Sequence, residues 1–251
     1  MHLGNGAITP ECVVLTYGAA AAGLATGAAA ARRAGLTREK LQLAAGLGCL
    51  VFAAQAVNAP ILPGTSAHLV GGVLLAWMVG PGLGAWTMAL VLAVQALVLG
   101  DGGITALGAN VLNMAILPAA LVAATNRMAR RSLPVMGLMA GLAVPLAAGM
   151  IVVETGLLRP ATELTGWTGF AATMLTIHAW VGVLEGGLTV ALAIALAPLI
   201  SEARPWRGWR LAFVGLTAAG LLAISISLSS TLPDAYDAAA QVNGVGWLLA
   251  P

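Results

Sequence analysis

Two histidines carry the metal chemistry this chain is equipped for: His2, directly after Met1, and His68, which closes the polar loop Asn58-Ala-Pro-Ile-Leu-Pro-Gly-Thr-Ser-Ala-His68. When residue 2 is a histidine, the terminal amine, the amide nitrogen of residue 2 and its imidazole Nδ1 close a five-membered and a six-membered chelate ring on one ion. A fourth planar position is left for another imidazole, for which His68 is the candidate. Deprotonating an amide takes a strongly polarising ion, and a planar nitrogen set suits Ni²⁺ and Cu²⁺ better than Zn²⁺ or Mg²⁺. The expected metal ligands are therefore Met1, His2 and His68, in a nickel- or cobalt-type site that requires Met1 to be deformylated and retained. Without such a site, His2 is a solvated terminal residue and His68 an interfacial helix cap.

Polar residues near these two suggest supporting roles. Thr65 and Ser66 precede His68 with hydroxyls that could orient it from behind, and Asn5, between Gly4 and Gly6, could fold the amino-terminal segment back over the site. Asn110 and Asn113 read either as groups that satisfy helix ends or as supports for His68. Glu185 falls inside a long apolar stretch, where an uncompensated charge costs at least ~2.5 kcal/mol. His178 lies two helical turns before it, roughly 10.5 Å along one face. This pair serves a structural hydrogen-bond role, a second metal position or a proton-linked release step.

The elements that must position these residues are apolar. The 251 residues are 60% hydrophobic and 8% charged, far beyond a soluble domain's apolar share. Apolar stretches run over Glu11–Ala31, Leu41–Val57, Leu69–Val79, Gly84–Leu99, Asn110–Thr125, Leu133–Val153, Ala171–Leu199 and Leu211–Leu228. Several approach the ~20 residues that cross a hydrocarbon core, and the third is short. The expected fold is an all-α polytopic membrane protein with about eight transmembrane helices.

Ten of the eleven basic residues follow the first, fifth and seventh stretches, leaving only Arg159 on the other side. Basic loops face the cytoplasm, so both termini, the acidic residues Glu11, Asp101, Glu154, Glu163, Asp234 and Asp237, and both histidines are expected outside a cytoplasmic membrane. An acidic rim would also concentrate an incoming cation. The first stretch is not read as a cleaved signal, because its basic residues follow the apolar run instead of preceding it. Its small residues, with Ala21, Ala25 and Ala29 four apart, suit close helix packing or a docking face for a membrane partner. Cys12 and Cys49 lack metal or disulfide spacing and read as packing residues.

Four motifs converge on one family. The start MHLGNGAITP, the long loop FAAQAVNAPILPGTSAHLVGG, the segment DGGITALGANVLNMA and the later IHAWVGVLEGGLT resemble those of the CbiM/NikM family, the substrate-capturing membrane subunits of cobalt and nickel energy-coupling-factor transporters. The resemblance implies the ligand set Met1, His2 and His68, Ni²⁺ or Co²⁺ as transported substrate, no organic cofactor, and no catalysis by the chain itself. It implies a transmembrane coupling subunit and cytosolic ATPase subunits as partners within membrane lipid, with no nucleic acid. No GxxxxGK[ST] phosphate loop occurs in the chain, so ATP hydrolysis belongs to another subunit. Gly4-Asn5-Gly6 replaces the family's common Pro-Asp-Gly, and Ala67 replaces a glycine. Residues 1–200 would form the metal-capturing domain. Residues 201–251 would form a further helix and an extracellular tail whose Ser229-Ser230-Thr-Leu-Pro233-Asp234 resembles a degenerate small companion subunit, here fused.

Two other functions compete. A stand-alone secondary transporter or channel for a divalent cation would line its path with several intramembrane polar groups, whereas His178 and Glu185 stand nearly alone. An integral membrane enzyme would need a nucleophile, an acid/base pair or redox ligands within reach of one another, and no such set stands out.

Overall fold

The computed structural model describes residues 2–125, 132–200, 216, 219–220 and 230–249. Met1, most of the expected helix over 211–228, and Arg127, Arg130, Arg131, Arg204, Arg207 and Arg210 lie outside the described residues.

Helix α1 (Pro10–Arg33) starts where Thr9 accepts the Cys12 N–H and proline occupies the first helical position; Glu11 in its first turn and Arg32 and Arg33 in its last match the helix dipole. Thr37 caps α2 (Arg38–Gln55) in the same way. The Asn58–His68 segment, expected to be a loop, contains an antiparallel hairpin, β1 (Ala59–Leu62) and β2 (Thr65–Ala67), irregular between Pro60 and Leu62. Its turn uses Gly64 at positive φ. Two prolines and the irregular register erase the alternation that marks a strand in sequence.

Next come the short α3 (Gly72–Val79), then α4 (Pro81–Leu99), α5 (Leu107–Ala124), α6 (Leu133–Gly156), α7 (Trp167–Ile200) and, in the tail, α8 (Ala235–Val242). The last turn of α4 and the middle of α5 widen into π-helical segments, Gln95–Leu99 and Leu112–Ile116.

Five of the described helices, α1 and α4 to α7, are long and apolar enough to cross a membrane; the expected eighth, over 211–228, lies almost wholly outside the described residues. Arg38, Glu39 and Lys40 occupy the first turn of α2 and shorten its apolar part. The eight residues of α3 cannot span, and its first five are buried among neighbouring helices. Otherwise the protein is an all-helical, multi-pass membrane protein. Large apolar side chains such as Leu97, Val98, Trp180 and Val183 are exposed on its flanks, where lipid would meet them.

Lipid tails are as apolar as leucine, so helices in a membrane associate through close packing and not through burial from water. Glycine supplies that closeness here. Gly137 and Gly141 on α6 face Gly186 and Gly182 on α7, backbone against backbone, and Gly27 on α1 meets Gly82 on α4. Of the small residues Ala21, Ala25 and Ala29 on α1, the first two are exposed and Ala29 is half-buried.

A side chain at Gly182 would run into the Gly141 carbonyl and the Pro145 ring, whereas Gly187 faces open space. Gly182→Leu is expected to lower the thermal unfolding midpoint in lipid nanodiscs, at a cost of roughly 1–3 kcal/mol, and Gly187→Ala to leave it unchanged.

Candidate metal centre

The amino-terminal segment before α1 is irregular, with a turn at Asn5–Gly6, so most of its backbone groups need partners from elsewhere. The loop 100–106 and α5 provide them. Leu3 is fully buried; its N–H donates to Asn110 Oδ1 (2.9 Å), while its carbonyl accepts from Asn110 Nδ2 (3.1 Å) and the Gly103 N–H (2.8 Å). Asn5 Oδ1 accepts from the Thr105 N–H (3.0 Å) and hydroxyl (3.1 Å), and the Gly6 N–H donates back to Thr105 Oγ1 (3.3 Å). Arg159 Nη2 donates to the Gly6 and Ala7 carbonyls at 3.3 and 3.0 Å. Gly103 must be glycine, since a Cβ there would overlap the Gly4–Asn5 backbone.

His68 is held from the opposite side. Its Nδ1–H donates to the Leu69 carbonyl (2.9 Å), which leaves Nε2 with the lone pair. The residues that follow are tied down by buried polar groups from three helices. Glu185 of α7 accepts the Val70 and Gly71 N–H groups at 3.0 and 2.8 Å. Gln55 of α2 donates to the Val70 carbonyl (2.7 Å) and accepts from Gln95 of α4 (2.7 Å). The Glu185 carboxylate thus sits at the amino end of α3, where charge-assisted bonds and the helix dipole favour a negative group.

Between these supports the two imidazoles meet edge to face, their centroids 5.4 Å apart. The His2 side chain is only 5% exposed. Its Nδ1 faces the Asp101 carboxylate (3.3 Å) and carbonyl (3.4 Å), and its Nε2 is buried without a hydrogen-bond partner. A chelate through Nδ1 therefore requires the ring to turn and release Asp101. Burial, reinforced by the charges around it, pushes His68 down to about 4, so it is a neutral, ligand-competent imidazole at physiological pH. Burial would raise Asp101, but its hydrogen bond to His2 and the nearby positive charges win and hold it at about 2. Among the described residues no three His, Cys, Asp or Glu side chains converge as a metal site.

Other expected residues fall in separate places. His178 donates Nδ1–H to the Met174 carbonyl (2.8 Å) and shares a small cavity with His68 and Asp234. Asn110 bonds to Leu3, next to His2, and not to His68; Asn113 gives its amide to Glu154 (2.8 Å), joining α5 to α6. Thr65 is buried in β2. Ser66 donates its hydroxyl to the Leu232 carbonyl (2.8 Å) and its N–H to the Pro233 carbonyl (2.9 Å).

Sequence reading missed Thr105, Gln95 and the role of Arg159. Only Arg159 left a signal, as the lone basic residue on the otherwise acidic side.

Residues 2–205 match the CbiM family, described as the cobalt uptake substrate-specific transmembrane region. The chain belongs to the CbiM family. It is 39% identical over 182 residues to an Archaeoglobus fulgidus protein named as a fused nickel transport protein, NikMN; the match covers 71% of this chain and 59% of that one. It is 34% identical over 210 residues to a Haloquadratum walsbyi protein named as a metal transport protein, covering 82% and 92%. A crystal structure titled as a truncated transition metal transporter superposes with a TM-score of 0.69 at 26% identity, over 79% of this chain and 99% of that chain. The CbiM family is one of membrane transport proteins, not of enzymes.

Two outcomes are expected at this site. Asn110→Ala removes both amide bonds to Leu3 and leaves a buried N–H unpaired, a loss of ~1–3 kcal/mol; hydrogen exchange at residues 2–6 should accelerate while the helices keep their protection. Asp237, in the same cleft as His2 and Asp101, is raised to about 6 by burial and by the Asp234 and Asp101 charges. Its ionised form therefore weakens the fold above pH 6, and that penalty fades as the pH falls towards 4. Asp237→Asn should raise the unfolding midpoint at pH 7.5 and have no effect at pH 4.

Proposed function

We propose that this CbiM-family chain captures Ni²⁺ or Co²⁺ at the outer face of the cytoplasmic membrane and is the substrate-specific subunit of an energy-coupling-factor transporter. The ion is held by the Met1 amine, the His2 amide and imidazole, and the His68 imidazole. What carries this reading is the meeting of His2 and His68, 5.4 Å apart, each presented by a loop whose backbone is bonded on all sides. With no third side-chain ligand among the described residues, a metal at these imidazoles draws its remaining donors from the main chain, as a terminal chelate does. Forming the chelate displaces the Nδ1 proton of His2 and breaks its bond to Asp101, whose carboxylate stays beside the cation.

Passage across the membrane then requires the amino-terminal segment to withdraw. A transmembrane coupling subunit and cytosolic ATPases drive that step, since the chain carries no phosphate-binding loop of its own. The buried polar groups Gln55, Gln95 and Glu185 bond to one another or to the His68 loop, an arrangement that suits scaffolding more than a lined channel. Thr65, Ser66 and His178 stand around His68, and Asn5 and Asn110 hold the segment that carries His2. Asn113 supports the helices beneath.

One extra residue before Met1 moves the amine out of the chelate without touching any helix. Equilibrium binding of Ni²⁺ and Co²⁺ to protein with its native Met1 end should be tight and should be lost on extension. Unchanged binding would place the ion elsewhere. Cellular metal uptake should require co-expressed coupling and ATPase subunits; uptake by the chain alone would favour a stand-alone transporter.

A further inference from the structure

The segment 230–249 lies beyond the residues matched by the family, yet it is bonded to the hairpin that carries His68. The Ser230 N–H donates to the Asn58 carbonyl (2.8 Å), and Ser66 is bonded through both its N–H and its hydroxyl to Pro233 and Leu232. Ser66 and Asp234 pair as a short parallel bridge. Behind this, α8 is anchored on α7: Tyr236 packs edge to face on Phe170, and Asn243 donates to Thr173 Oγ1 (3.1 Å). Asn243 lies against Gly166 and Gly169, where a Cβ would overlap it. The segment is therefore built into the site.

Its position puts one carboxylate in the lining of both cavities that the two histidines border. Asp234 lines the small cavity that holds His68 and His178, and it also lines the cleft of about 350 Å³ that holds His2, Asp101 and Asp237. Its side chain is oriented by its own helix, because Oδ1 accepts the Tyr236 and Asp237 N–H groups at 2.8 and 2.9 Å as the cap of α8. A divalent ion bound by an amine, one deprotonated amide and two neutral imidazoles keeps a net positive charge in a largely buried space, where a nearby anion is worth more than in water.

Resting on the chelate reading above, we infer that Asp234 is a positioning residue of the metal centre: its carboxylate, delivered by the tail of the same chain, balances the charge of the captured cation. Affinity for Ni²⁺ and Co²⁺ then depends on a segment that the family match does not cover.

Asparagine and serine cap helices about as well as aspartate, so Asp234→Asn and Asp234→Ser remove the charge and keep the cap. The test is equilibrium binding of Ni²⁺ and Co²⁺ to the full chain in nanodiscs, for wild type, both variants and the protein extended before Met1. The metal-free unfolding midpoint and the ligand-field absorption of bound Ni²⁺ are recorded alongside. Both variants should remain folded without metal at the temperature of the binding measurement, bind about 10–100-fold more weakly, and shift the Ni²⁺ band. Wild-type affinity in Asp234→Asn would overturn the inference, as would a loss of affinity in both variants matched by an equal loss of metal-free stability. If extension abolishes binding while Asp234→Asn leaves it intact, only this inference fails. If wild type binds neither ion, or extension changes nothing, the chelate reading fails and the inference with it.

Discussion

The reciprocal amide pair between Asn110 and Leu3 is the interaction on which the placement of His2 depends. A chain start has no helix or sheet to satisfy its backbone, and an irregular segment laid into a buried cleft without partners would pay for each orphaned group. Asn110 answers a donor and an acceptor of one residue at once. Leu3 sits beside His2, so fixing its backbone fixes where the imidazole emerges. Gly103, Thr105 and Arg159 extend the same pairing through Ala7. The segment is thus held both by these hydrogen bonds and by the burial of Leu3, Ala7 and Ile8, without the long packed face of a transmembrane helix.

The opposite half of the site is rigid for the complementary reason. The loop after His68 is gripped by Gln55 and Glu185, with Gln95 bonded behind Gln55; the three come from three helices and are themselves buried. Polar groups in a membrane interior are tolerated when they satisfy one another, and here they also tie the loop to the helix bundle. Glycine contacts between α6 and α7 and between α1 and α4 let those helices approach closely. One imidazole is therefore presented by the helix bundle and the other by a short terminal segment, an arrangement that suits the proposed capture followed by release.

Much of this was legible in the chain. Hydropathy marks a span directly, and the stretches corresponding to α1 and α4 to α7 stand out for that reason. His2 and His68 stand out by their chemistry in so apolar a sequence. The charged first turn of α2 and the brevity of α3 set those two apart from the five long apolar helices. The hairpin, with its prolines and bulge, breaks the period of two on which strand recognition relies. Asn110 and Leu3 are 107 residues apart in the chain, Ser66 and Leu232 166 apart. Contacts between single residues at such separations leave no periodic trace, so the roles of Asn110, Arg159 and Asp234 emerge only when the fold brings them together. The orientation of the His2 ring toward Asp101 is likewise a tertiary property, one that the chelate must undo.

The most direct measurement is X-ray absorption spectroscopy of the full chain loaded with one equivalent of Ni²⁺. A terminal chelate completed by His68 predicts four nitrogen neighbours in a plane, with the multiple-scattering signature of two imidazoles. A six-coordinate, oxygen-rich shell, or a shell with no imidazole contribution, would contradict the account.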